Sequence, residues 1–301
     1  MNLSDNNLAK RWFFILFILA LLLYLPAMFF VELQGGEEAA YAAIAREMLS
    51  SGKFLQPSLQ GSKLQIFPMY AWLVSIFSFG SPPSLFSVRF PAFLSILTLA
   101  WLCAATATRL KNRQAGFMAA AIVLSCWASL RTGFRAQTET VHALFIASAW
   151  FFWHKYGPQE EKWHKAWAIA LFFVFLGILT VGAKAIFIFY LPMIFARRPS
   201  KMLRNLQSAP HLLVLTIFIF VTIAWIKFIS PQAFLPWNAL TFELPAKLQA
   251  GFFRHLFLFP AKILIYLAPW GLFFWAPFCL ALRQFEPTGS FTGFCRALII
   301  I

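Results

Sequence analysis

The 301-residue sequence predicts an all-α integral membrane protein: a polytopic bundle of about eight transmembrane helices, with amphipathic interfacial helices in the first outer loop. Three observations predict it. Hydrophobic residues make up 61% of the chain and charged ones 12%, against about 25% charged in soluble domains, so there is too little polar surface to face water. Apolar runs of near-spanning length recur along the chain. Basic residues fall in short clusters between those runs, while most acids fall on the other side.

The N-terminus carries Lys10 and Arg11 before an apolar run at 12–31. The run approaches spanning length and no small-residue cleavage site follows, so it reads as an uncleaved signal anchor with a cytoplasmic N-terminus. Further spans are expected at 88–108, 115–132, 138–153, 166–182, 184–196, 211–229 and 262–282. The apolar segment 66–80 is assigned by parity. If it does not cross, the clusters Arg109-Lys111-Arg113, Lys155 to Lys165 and Arg197 to Arg204 all lie inside; if it crosses, all three lie outside, against the positive-inside rule. It is therefore expected to be interfacial or re-entrant, with Pro68 near its start and Pro82-Pro83 after it.

This threading places Glu32, Glu37, Glu38, Glu47, Glu139 and Glu243 outside and leaves Asp5, Glu160, Glu161 and Glu286 inside. It divides the chain into a transmembrane domain, 1–283, and an atypical tail, 284–301. Two long polar stretches, a first outer loop at 32–65 and a second outer segment at 230–261, lie on the acidic side, where function is sought. The formal charge of +15 comes from retention clusters, which excludes a nucleic-acid partner. Cys103, Cys126, Cys279 and Cys295 have no paired spacing, so neither a disulfide framework nor a zinc site is expected.

From Glu38 onward the first loop has helix formers, an apolar stripe and acids at its N-terminus, where the helix dipole favours them. Glu37 then sits at the bilayer edge, as a reactive group or as a capping one. Glu139 follows Arg131 and Arg135 where the chain re-enters lipid. A carboxylate there is costly unless it is paired, and Arg135 is the obvious partner, or faces a cavity. His142, three residues on, shares a helical face with Glu139. His142 and His255 are the candidate metal ligands, although a histidine bonded to a neighbouring helix is the plainer alternative. Arg46, Lys53, Lys63, Arg131, Arg135, Lys247 and Arg254 oppose the positive-inside trend. They either snorkel to headgroups or line a cavity for an anionic lipid phosphate. No glycine-rich phosphate loop, nucleophile elbow or zinc-protease helix is present.

An acidic pair, Tyr41, Ile44-Ala45-Arg46-Glu47-Met48-Leu49, Gly52, Pro57, Gly61 and then Tyr70-x-Trp72-Leu73 resembles the first outer loop of ArnT-type bacterial glycosyltransferases, of the protein-mannosyltransferase-like group with the GT-C fold. The resemblance continues through Ser87-Val88-Arg89-Phe90-Pro91, Glu139, Leu179-Thr180-x-Gly182 and Tyr266-x-x-Pro269-Trp270. It implies a GT-C-like inner-membrane enzyme that moves a sugar from a polyprenyl-phosphate donor to lipid A, another envelope glycan or a protein on the outer side. It also implies Glu37 and Glu139 as catalytic acids, one accepting a proton from the acceptor hydroxyl, and cations for the departing lipid phosphate. Glu38, Tyr41, Arg46, Lys63, Arg131, Arg135 and Arg254 are the expected substrate-binding residues. A divalent metal ion on a carboxylate is the one cofactor expected.

The sequence departs from that family at named places. Glu stands at both positions where the family has Asp, and Ile66-Phe67-Pro68 replaces Lys-Pro-Pro. Ala40 replaces an arginine, and Val181 a lysine, with Lys184 three residues on. The family continues through further spans and often a soluble outer domain, so truncation is expected after residue 283. The competing class is a non-catalytic relative or a lipid-carrier transporter. A transporter should show internal repeats with paired broken helices, and none is evident.

Overall fold

The computed structural model describes residues 3–30, 36–55, 57–59, 62–63, 67–195, 206–229, 258 and 262–271. Ten α-helices are named here in chain order: α1 (Leu3–Phe30), α2 (Glu37–Ser51), α3 (Met69–Phe77), α4 (Leu85–Leu110), α5 (Arg113–Ser125), α6 (Trp127–Thr132), α7 (Thr138–His154), α8 (Trp163–Val181), α9 (Lys184–Phe195) and α10 (Ala209–Ile229). A π-helical turn, Lys155–Gln159, follows α7. The one departure from an all-α chain among the described residues is a two-strand ribbon after α2. Its strands β1 (Ser58–Leu59) and β2 (Ser62–Lys63) run antiparallel, with Ser58 opposite Lys63 and Leu59 opposite Ser62.

Among the described residues, three helical stretches are long and apolar enough to cross a membrane: Phe13–Phe30, Leu85–Arg109 and Trp163–Val181. Ala209–Trp225 is a shorter apolar one. Large apolar side chains on α1, α4, α8 and α10, such as Phe30, Trp101, Phe172 and Phe220, point outward, where lipid rather than water satisfies them. The helix in 66–80, α3, has nine residues and is only about 13 Å long, far short of a ~30 Å hydrocarbon core. Of the last expected span, 262–266 is helical and 267–271 turns. Its remainder, most of 230–261, and the tail 284–301 lie outside the described residues.

The expected span 115–132 is broken at Cys126, whose extended ψ of 144° ends α5 and starts α6. The amide of Trp127 donates not to a helical carbonyl but to Ala268 O, at 2.9 Å. A tertiary contact across some 140 residues thus takes the place of one helical bond. Trp270 Nε1 donates to Ser125 Oγ at 2.8 Å on the same break.

Three apolar clusters hold the helices. α1 packs on α4 and α5 through Ala20, Tyr24 and Met28 against Phe93, Ile96, Ala100, Ala104, Ala120 and Leu124. The Tyr24 hydroxyl donates across that seam to Leu124 O at 2.9 Å. α7, α8, α9 and α10 share a tryptophan-rich core around Trp150, Trp153, Trp167, Val174 and Phe189. Between these bodies, the apolar stripe of α2 (Tyr41, Ile44, Ala45, Met48) meets Tyr70, Ala71 and Val74 of α3, Val88 of α4, Ala136 in the turn before α7 and Val141 of α7. The first-loop helices therefore roof the entry to α4 and α7.

Candidate active site

The two acids that open α2 point in different directions, since adjacent helical residues are about 100° apart. Glu38 turns inward and is 5% exposed, against Arg89 at 0%. Arg89 donates from Nε to Glu38 Oε1 at 3.1 Å and from Nη2 to Oε2 at 3.0 Å. Its Nη1 donates to Met28 O at 3.3 Å, and the amide of Ala136 donates to Glu38 Oε1 at 2.8 Å. One carboxylate thus ties the start of α2 to α4, and through Arg89 to the end of α1. It also ties α2 to the turn three residues before Glu139. Glu38, expected to bind substrate, is bound to protein instead; an arginine within an apolar helix was the sequence signal for such a partner.

This staple holds the adjacent acid, Glu37, within electrostatic reach of Glu139. The carboxyl of Glu37 is raised above its ordinary 4.5, first by partial burial and then by the negative charge of Glu139. Tyr41, one turn further along α2, feels both acids. Burial, then Glu37, then Glu139 push its phenol up to about 12, and its ring lies 4.9 Å from that of Tyr70. Tyr70 is held by its hydroxyl to Val88 O at 3.0 Å, so the aromatic floor under Glu37 is fixed to α4.

Glu139 is exposed in the first turn of α7 and accepts from Thr138 Oγ1 at 3.4 Å. The anticipated ion pair with Arg135 does not form: among the described residues only Arg89–Glu38 and Lys162–Glu160 lie within bridging distance. Arg135 instead stands over the Phe134 ring at 5.7 Å, with its Nε buried and unbonded. Arg131 reaches the 262–271 segment, donating to Tyr266 Oη at 3.3 Å. Arg46 is exposed on α2, and its neighbour Glu47 accepts from Ser58 Oγ, tying the β-ribbon to the helix. Lys63 lies in β2. Arg254 and His255 lie outside the described residues.

His142 is 8% exposed, and neither ring nitrogen has a hydrogen-bond partner. It faces Gly177 of α8, where an added Cβ would stand 3.5 Å from Nδ1. Glu139 and Lys184 are both within electrostatic reach of it. Lys184 is a residue the sequence reading noted but did not assign. Exposed at the start of α9, it is aimed by the turn at Gly182, whose φ of 78° and ψ of −155° lie in a region reserved for glycine. Phe67, just ahead of α3, fills the space where a Gly182 side chain would be. Among the described residues no three His, Cys, Asp or Glu side chains gather as a metal cluster.

Glu139 is thus the common electrostatic neighbour of Glu37, Tyr41 and His142, with Lys184 in reach of His142, on helices from both halves of the described bundle. Such a set can exchange a proton and hold an anion.

Comparisons with known proteins agree with this architecture. The chain is similar to ArnT from Cupriavidus metallidurans in the apo state, with a TM-score of 0.70 and 18% identity over 97% of this chain and 58% of that one. Against the same protein bound to undecaprenyl phosphate the TM-score is 0.71, over 96% and 54% of the two chains. At that identity the likeness is one of fold. In sequence it is 31% identical over 160 residues, 52% of its length, to an undecaprenyl phosphate-alpha-4-amino-4-deoxy-L-arabinose arabinosyl transferase 2 of Sodalis glossinidius. It is 25% identical over 189 residues, 62% of its length, to the corresponding transferase of Shewanella sediminis. These stretches cover 28% and 34% of the two relatives, so the chain spans about a third of the curated proteins it matches. The model of the dolichyl-phosphate-mannose-protein mannosyltransferase family matches residues 65–226, more than half of the sequence and most of the helices that carry the site, and the chain belongs to that family.

Proposed function

We propose that this chain carries the catalytic face of an inner-membrane glycosyltransferase. It moves a sugar from a polyprenyl-phosphate donor to lipid A or another envelope acceptor on the outer side, with the N-terminus cytoplasmic and about eight spans in the 1–283 domain. The observation that carries the reading is that Glu37 and Glu139, 102 positions apart in sequence, come within electrostatic reach of each other and of Tyr41, with Lys184 in reach of His142 on the same helix as Glu139. The relatives, which are undecaprenyl phosphate-aminoarabinose transferases by name, supply the donor class.

The raised carboxyl of Glu37 suits it to proton acceptance, because a base works best when its pKa lies nearer the operating pH. In the proposed step the acceptor hydroxyl gives its proton to Glu37 as its oxygen bonds to the anomeric carbon. The bond from that carbon to the phosphate oxygen breaks, and polyprenyl phosphate leaves with the electron pair. Lys184, within electrostatic reach of His142, is the cation proposed to receive that charge. Glu139, exposed at the start of α7, orients the acceptor. Glu37 and Glu139 offer the hard oxygen donors that a divalent cation prefers, and such an ion would add charge stabilisation at the leaving phosphate.

Transfer from an undecaprenyl-phosphate-linked sugar in membranes tests the assignment. Glu37→Gln and Glu139→Gln should each lower transfer by about 10²–10⁴-fold. Activity retained in either variant removes that residue from the chemistry. Donor binding without turnover in the native chain would instead make it a non-catalytic relative.

A further inference from the structure

At the other end of α7, away from Glu139, the structure gathers cations on an aromatic string. Arg109, in the last turn of α4, stands 5.0 Å over the Phe151 ring of α7. Phe151 packs edge-on to Phe152 at 5.1 Å, and Phe152 stacks on Tyr156 at 6.1 Å and 10°. Both Lys155 and Lys165 bring their ammonium groups to the Tyr156 ring, at 4.8 and 4.2 Å. The helices α4 and α8, both of spanning character, end and begin here at Arg109 and Trp163, and Trp163 packs on Trp153 at 5.9 Å. Tryptophan and tyrosine at such a level mark the membrane–water boundary.

The charges here are placed rather than merely solvated. Lys162 is neutralised by Glu160 at 3.0 Å. The carboxyl of Glu160 is held below its ordinary value, first by that hydrogen bond and then by the charges of Lys162, Lys155 and Lys165. Among the described residues no carboxylate lies within bridging distance of Arg109, Lys155 or Lys165. Lys155 and Lys165 share the Tyr156 ring, Arg109 sits two rings along the same string on Phe151, and Glu160 and Glu161 are the nearby acids. Mutual repulsion between the three cations is relieved by an anion, and the anions present at a bilayer edge are lipid phosphates.

We propose that Arg109, Lys155 and Lys165, with both lysine ammonium groups at the Tyr156 ring, form a seat for the headgroup phosphate of an anionic phospholipid. Basic recesses between transmembrane helix ends bind such headgroups, and guanidinium and ammonium groups make charge-assisted bonds to phosphate. The seat is separate from the sugar-transfer site: the 17 residues of α7 put about 25 Å between them. It rests on the membrane reading and not on transfer activity.

Native mass spectrometry of the full chain, purified in detergent with an equimolar mixture of phosphatidylglycerol and phosphatidylcholine, tests this. The wild type should retain phosphatidylglycerol in preference. Lys155→Gln/Lys165→Gln should lower its affinity about thirtyfold, as expected for two lysines at an anionic headgroup. Lys162→Gln leaves both seat lysines in place but frees Glu160 beside them, so it should lower affinity by clearly less than the double variant. Equal retention of the two lipids, or an unaffected double variant with native circular dichroism, overturns the proposal. So does a Lys162→Gln loss as large as the double variant's, which would mean that charge count alone sets binding. Displacement of the lipid by millimolar glycerol phosphate would show a free-phosphate site and overturn the lipid assignment.

Discussion

Replacing Glu38 with glutamine removes one charge from a pair whose members are 5% and 0% exposed, and leaves the Arg89 guanidinium buried beside an amide. Breaking such a buried pair on one side costs about 3–5 kcal/mol, because the remaining charge is stranded. Arg89→Met should cost a similar amount from the other side. The double variant Glu38→Gln/Arg89→Met removes both charges, while the glutamine oxygen still accepts from the Ala136 amide, bonded at 2.8 Å in the native protein. It should therefore lie within about 1–2 kcal/mol of the wild type. Thermal unfolding in detergent followed by a thiol-reactive dye would read this as single-variant melting points lowered on the order of 10 °C, and a double variant mostly restored. The same bonds set the approach of Glu37 to Glu139, so the single variants should also lose transfer activity below their melting points. Additive single effects, or single variants melting within about 2 °C of the wild type, would refute the view that this pair locks α2 to α4 and the α7 entry.

Gly182→Ala places a Cβ 2.4 Å from Phe67 Cζ at a φ of 78°, and should destabilise by about 1–3 kcal/mol from backbone strain alone. Adding Phe67→Ala should relieve the clash but not the strain, which melting curves of both variants would separate. The carboxyl of Glu37 is raised in the folded protein, so its stabilising contribution is complete below the ordinary glutamate pKa and is lost as pH rises through the folded value. Glu37→Gln should accordingly melt higher than the wild type at pH 7 while losing activity. In Glu139→Gln one cause of the shift is gone, and the infrared carboxyl band of Glu37 should titrate at lower pH than in the wild type, though burial keeps it above the ordinary range. Ser62→Cys and Lys111→Cys, in a background without native cysteines, should react with impermeant maleimide from opposite sides of the membrane. Labelling from one side would overturn the assignment of 66–80 as non-crossing.

How much was legible beforehand differs by residue. The sequence alone determined the membrane class, the helices at 12–31, 88–108 and 166–182, and the helix beginning near Glu38, because hydropathy, charge placement and helix-end chemistry are local. The assignment of 66–80 as non-crossing used only the positions of basic clusters, and the labelling of Ser62→Cys and Lys111→Cys is its test. Glu37 and Glu139 stood out because a carboxylate at a bilayer edge is costly without a purpose. The β-ribbon at 58–63 was missed, since two-residue strands carry no periodicity.

Only the tertiary structure decided which of two adjacent acids faces inward, since that depends on Arg89, 51 positions away. It broke the expected helix at Cys126 through a carbonyl from Ala268, left Arg135 unpaired with Glu139, and brought Lys184 within reach of His142. Each of these outcomes is fixed by which helices pack together and at what rotation. A one-dimensional pattern lists the charged groups and their spacing along the chain; only helix packing specifies which of them meet.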